Sequence, residues 1–212
     1  MTDVADLQRR VPSTIYSLPY VFPPSQDWLG NDGSWSTFML RVGDPPVQWR
    51  VLPATNIQEI WVPLPQACVL DHFDSCLHNR GVAANVTAAH QVFQLNQSSS
   101  WVKEGIYNLL SEDNLNYTGN GEYGFDTVSL GPPSLGGPSL SHQVVAGIVT
   151  NDFYLGQFGL GPKPANFSDF NDPIPSYMKT LANTNIIPSL SFGYTAGAKY
   201  RRSITVTSID RG

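Results

Sequence analysis

Charge is scarce in this chain of 212 residues: Asp, Glu, Lys and Arg make up 14%, against about 25% in average soluble proteins. The 12 basic and 17 acidic residues leave a formal net charge of −5. No basic stripe exists to displace counterions from phosphates, which argues against a nucleic-acid partner. The pairs Arg9-Arg10 and Arg201-Arg202 stand alone and read as solvated surface. Long apolar runs are missing too. No window reaches the roughly 18 consecutive apolar residues that a membrane-spanning helix needs. Residues 1–10 lack the apolar core of a signal peptide. There is no Gly-x-Ser-x-Gly element and no Walker loop. Gly119-x-Gly121-x-x-Gly124 fits the dinucleotide pattern formally, but it falls in an expected hairpin with no helix after it. No cofactor is expected.

What the chain does have is punctuation: Pro (17) and Gly (18) are spread along it, and aromatics reach 11%. This is the profile of a turn-rich β protein. The length suits one or two domains and buries roughly 70% of the unfolded surface. Residues 1–26 read as an extended arm, Pro-rich in its second half, with a short strand around 14–18. Residues 35–42 form a strand-like run, and Gly43-Asp44-Pro45-Pro46 is a turn. Residues 47–52 alternate apolar and polar as a half-buried strand does, so the two runs pair as a hairpin. Residues 68–81 read as a loop. Short strands are expected at 88–95 and 106–110, with Ser98-Ser99-Ser100 as the turn between them. Residues 117–130 read as a glycine-punctuated hairpin, 131–141 as a loop, and 143–150 as a β-branched strand. Leu155-Gly-Gln-Phe-Gly-Leu-Gly161 is apolar and glycine-spaced, which implies closely packed backbones. Residues 175–183 are the best helix candidate: Pro175 stands near the start, Tyr177, Met178 and Leu181 share a face, and Asn183 ends it. Strands are expected again at 189–194 and 203–209.

Several side chains admit more than one chemistry. Cys68, His72, Cys76 and His78 are the residue types of a zinc site; a disulfide and a free buried pair are the other readings. The closely spaced cysteines point outside the cell, as do four Asn-x-Ser/Thr sequons at Asn85, Asn96, Asn116 and Asn166. The expectation is a secreted or cell-surface protein whose leader is not visible in this chain. His90 and His142 look isolated and structural. Trp28, Trp35, Trp49, Trp61 and Trp101 suit strand core or a cleft wall, and a carbohydrate-binding β module of cell walls is the alternative they leave open.

The organising stretch runs from Val51 to Val62, with the corner Ala54-Thr55-Asn56 between two apolar strands. Around it several segments, in one order, resemble the N-terminal lobe of the pepsin-like aspartic proteases. Arg41-Val-Gly-Asp-Pro-Pro-Val-Gln48 resembles the family's I-G-T-P-x-Q turn. Thr55 to Trp61 resembles the loop after its catalytic Asp, ending in Ile60-Trp61-Val62. Gly124-Phe-Asp-Thr-Val128 resembles G-x-D-T-V, and Leu155 to Gly161 resembles G-I-L-G-L-G. Residues 173–181 resemble the family's helix, and Ile187-Pro-Ser-Leu-Ser-Phe192 the strand after it. The likeness covers roughly residues 27–210 and is closest to divergent filamentous-fungal members. It implies a mostly β lobe of antiparallel strands with one or two short helices, spanning residues 27–212. It also implies a Cys68–Cys76 disulfide, no metal, and a second lobe C-terminal to Gly212.

The same resemblance puts the activity in question. The family works with two carboxylates that share a proton, because like charges this near cannot both ionise. Alignment on Trp61 sets Ala54 at the Asp of Asp-Thr-Gly, Thr55 at the Thr and Asn56 at the Gly. Alanine cannot titrate, while asparagine tolerates positive φ, so the turn is expected to persist without its acid. Glu59 and Asp44 are the only nearby substitutes and read as solvated loop charges. At the flap the nearest candidate is Tyr117-Thr118-Gly119 in a shortened hairpin, with the tyrosine expected to meet Trp61. A glycan on Asn116 would obstruct a peptide cleft. The expected function is a catalytically defective aspartic-protease-like module that binds a peptide or protein or serves as a structural ectodomain. The alternative is the lobe of an active endopeptidase with an atypical acid.

Overall fold

Glycine and proline at Gly43 to Pro46 stop one strand and launch the next. In the computed structural model, β2 (Trp35–Val42) and β3 (Val47–Ala54) pair antiparallel and close on Val42 opposite Val47, as the alternation predicts. The structure describes residues 18–68, 73–83, 94–167 and 171–196. The expected strands at 203–209, at 88–95 up to residue 93, and at 14–18 up to residue 17 lie outside the described residues, as do His72, Asn85 and His90.

The remaining strands are β1 (Pro24–Leu29), β4 (Ile60–Pro63), β5 (Val102–Asn108), β6 (Asn120–Leu130), β7 (Ser139–Ile148) and β8 (Gly156–Gly159). β1 runs across the boundary expected after residue 26. The protein is mostly β: one mixed eight-stranded sheet in the order β1-β2-β3-β8-β4-β7-β6-β5, with two short helices. β2 also pairs with β6, so six strands close on themselves, which removes their free edges. β3–β8 and β4–β7 are parallel.

The strands crossing the middle are buried on both faces. Ile60 and Val62 of β4 enter one apolar cluster and Trp61 enters a second. A strand covered on two sides needs a continuous apolar run rather than alternation. In β6 a register shift between Asp126 and Val128 switches the inward face, since a one-residue slip turns every side chain over. Tyr123 and Phe125 thus join the second cluster while Val128 and Leu130 join the first. Asp126 is fully buried at that bulge, and its Oδ1 accepts from Ser98 Oγ (2.9 Å), Ser100 Oγ (2.5 Å) and the Thr127 N–H (2.8 Å).

Three expectations change here. Residues 117–130 are not a hairpin in themselves: β6 is a single strand, and the hairpin is formed with β5. Residues 68–81 are not all loop, because α1 (Phe73–Asn79) lies within them. The second helix matches its expectation. In α2 (Tyr177–Asn183) Tyr177, Met178 and Leu181 are buried together, and Ser176 caps the start by accepting from the Lys179 N–H. Residues 189–194, expected as a strand, are exposed and pair with no strand among the described residues. They border an apolar groove of about 1120 Å³, with Phe192 and Tyr194 on its rim.

Candidate functional site

The corner is built by close backbone approach. β8 runs parallel to the end of β3, with Gly159 opposite Ala54. Three backbone bonds then pin the loop after it: Leu160 N–H to the Ala54 carbonyl (2.8 Å), Gly161 N–H to Ile57 (2.9 Å) and Gly159 N–H to Glu59 (2.9 Å). A Cβ at Gly159 would sit 2.5 Å from the Glu59 carbonyl oxygen, and one at Gly161 would sit 2.6 Å from that of Ile57. The glycine spacing read from the sequence therefore has its physical cause here.

Ala54 is half-buried against the second cluster. Thr55 and Asn56 are exposed, and the Thr55 hydroxyl makes no hydrogen bond among the described residues, so it does not brace this loop. Asn56 does not use the positive φ expected of it. Its amide nitrogen instead donates to Ser111 Oγ (2.8 Å) and to Glu112 Oε1 (2.6 Å).

The two substitute acids part company. Asp44 lies at the far end of β3, roughly 25 Å of extended strand from the corner, where its carboxylate accepts from Ser99 Oγ at 2.7 Å. Glu59 is not the solvated charge expected. It is half-buried, its Oε1 accepts from Gln58 Nε2 at 2.6 Å, and burial pushes its carboxyl above the ordinary value despite opposing hydrogen bonds. Beside it burial pushes the Tyr123 phenol far up, the Glu59 charge adds to that rise, and the Trp61 indole N–H partly offsets it. That indole nitrogen is buried and meets no partner at full hydrogen-bond geometry, so its contact with the phenol is electrostatic more than directional.

A raised carboxyl pKa has a signed consequence. Below the unfolded-state value both forms are protonated and nothing is lost. As pH rises through the carboxylate range the fold resists giving up the proton, so stability falls until the folded pKa is passed. Glu59→Gln is therefore expected to be more stable than the parent at neutral pH and equal to it at acid pH. Urea midpoints at several pH values check this. A gap that does not change with pH would show that the carboxyl titrates normally.

The aromatic wall around the corner was only partly legible. Trp61 is fully buried and meets the Phe153 edge at 5.0 Å, and Tyr117 meets Phe153 at 5.6 Å. Tyr117 thus reaches Trp61 through Phe153 rather than directly. Tyr117-Thr118-Gly119 is not the tip of a shortened hairpin: the β5–β6 connection runs through residues 109–119, and these three lead into β6. Sequence reasoning missed Tyr107, which packs against Tyr123 (5.8 Å) and Phe167 (5.4 Å). The signal was present in β5, where Gly105 and Tyr107 face inward between exposed Glu104, Ile106 and Asn108.

Cys68 and Cys76 form a disulfide, Sγ–Sγ 1.96 Å, so neither is a thiolate ligand, and among the described residues no group of three or more His, Cys, Asp or Glu is placed to hold a metal. His142 stacks on Phe125 at 3.9 Å. Asn96, Asn116 and Asn166 are exposed. Trp49 and Trp61 are core, Trp28 and Trp101 are half-buried, and Trp35 is exposed with its indole N–H on Asp32 Oδ1 (2.9 Å). Among the described residues no helix is long and apolar enough to cross a membrane. No family model matches the chain, and no curated protein matches it.

Proposed function

We infer that this chain is a pepsin-like lobe whose corner has lost its acid, and that it binds an extended peptide instead of cutting one. One observation carries the reading: the strand end where the resemblance expects a carboxylate holds the methyl group of Ala54, on a loop still pinned by Gly159 and Gly161. What supports a binding role is half-buried Tyr107 beside that corner, backed by the buried rings of Tyr123 and Trp61. Aromatic side chains supply apolar area with a polar handle. The reading also expects a second lobe beyond Gly212, and a secreted or cell-surface setting with which the disulfide is compatible. In the test, the chain is mixed at acid pH with a fluorescein-labelled pool of random decapeptides. Anisotropy is expected to rise, the peptides are expected to stay intact, and Tyr107→Ala is expected to weaken binding about tenfold, the scale of a lost aromatic anchor. Pepstatin-sensitive cleavage would overturn the reading.

A second reading is favoured by Glu59 alone. A half-buried carboxyl held above its ordinary pKa suits a general acid, and the endopeptidase alternative would rest on it. Cleavage that disappears in Glu59→Gln would establish that alternative.

A further inference from the structure

Asp32-Gly33 and Asn120-Gly121 are the only places in the chain where Asp or Asn precedes glycine. Glycine has no Cβ to shield its amide nitrogen, which can therefore reach the side-chain carbonyl carbon of the residue before it. Ring closure requires a chain that can bend there and a nitrogen free of hydrogen bonding. In an unfolded chain asparagine is the more reactive of the two, because a carboxylate anion resists a nucleophile.

The fold reverses that order. Asn120 opens β6 opposite Asn108, and buried Gly121 stands between Tyr107 of β5 and Ile148 of β7. Extended backbone keeps the Asn120 side chain turned away from the next nitrogen, which sits inside the sheet. Asp32 and Gly33 instead lie in the exposed bend that joins β1 to β2. No hydrogen bond takes the Gly33 N–H among the described residues. The Asp32 carboxyl is held by the Trp35 indole N–H, which donates to Oδ1 at 2.9 Å in an exposed position, and one such bond is a weak hold. We propose that Asp32 is a modification site, which isomerises through a succinimide to isoaspartate while the sheet keeps Asn120 intact. From the acid form of the carboxyl, the Gly33 nitrogen bonds to Cγ and the Cγ–OH bond breaks. That oxygen leaves as water, carrying the amide proton. Water then opens the ring at the Asp32 main-chain carbonyl carbon by breaking its bond to the Gly33 nitrogen. The chain thereafter runs through Cγ, with no net change in mass. The β1–β2 turn gains one methylene in its backbone, and the indole loses its carboxylate partner. This site stands apart from the peptide-binding reading.

The whole chain, incubated at neutral pH, is digested and its peptides are separated by liquid chromatography with mass spectrometry. The isoaspartate peptide elutes apart from its parent at equal mass, whereas deamidation of Asn120 adds mass. Isoaspartate is expected to accumulate at position 32 with Asn120 intact, and in guanidinium chloride Asn120 is expected to react first. Trp35→Phe should speed the reaction about threefold, the scale of one exposed hydrogen bond. Gly33→Ala, whose Cβ would meet the Trp35 ring no closer than 3.4 Å, should fold and lose most of the product. Absence of isoaspartate at position 32 overturns the proposal, and so does loss of Asn120 at an equal or faster rate in the folded chain. The same order in guanidinium chloride would show that the fold does not set the selectivity, and an unchanged rate in Trp35→Phe would remove the part given to the indole.

Discussion

Trp61→Ala will cost the fold about 3–5 kcal/mol, the range for deleting a large aromatic from a packed interior. The indole has no solvent exposure, packs edge-on against Phe153, and belongs to a cluster with Tyr123, Phe125, Ala146 and Ile148. Neighbours on a closed sheet cannot collapse into the hole, because β4 is fixed by β7 on one side and by β8 on the other. For a chain of this size the melting temperature should drop by roughly 10 °C. Trp61→Phe keeps the ring contact and should lose much less. Thermal or urea unfolding of the three proteins decides the matter. A loss below about 1 kcal/mol for the alanine variant would mean that the cluster is not close-packed.

Arg80→Ala is expected to destabilise by about 3 kcal/mol or more, through loss of charge-assisted hydrogen bonds that leaves the carbonyls they satisfied buried without a donor. Arg80 follows α1 and is almost completely buried. Its guanidinium donates to Asn151 Oδ1 (2.9 Å), to the Thr150 carbonyl (2.8 Å) and to the Phe153 carbonyl (3.4 Å), and it lies over the Tyr154 ring at 5.0 Å. One side chain thereby fixes the loop that presents Phe153 to Trp61 and Asp152 to Thr118. Arg80→Lys keeps the charge but lacks the planar fork, so it should recover only part of the loss. Full stability in Arg80→Lys would show that charge alone holds the loop.

That arginine also explains a gap between sequence and structure. Cys76, Leu77 and Arg80 form the buried face of α1 and the residue after it, but a charged residue closes that face, so the apolar period breaks and the segment reads as loop. Glycines misled in the opposite direction in β6. Gly124 is there because a Cβ would stand 2.3 Å from the Val102 carbonyl oxygen, a demand of the neighbouring strand and not of a turn. Glu59 reads as a loop charge because sequence distance does not reveal that Tyr123 lies across from it.

The sequence by itself determined the local chemistry. Gly43 to Pro46 set the hairpin, Pro175 and the Tyr177/Met178/Leu181 stripe set α2, and the glycines of 155–161 set the close approach. Each follows from backbone angles, caps or periodicity within a few residues. Ala54 was equally legible, since the absence of a carboxylate needs no coordinates. Only the tertiary structure decided the ring of six strands, the burial of Glu59, and the placement of Ser111 and Glu112 against Asn56. Those depend on contacts between residues far apart in the chain, and an apolar stripe or a polar side chain specifies a face without naming its neighbour.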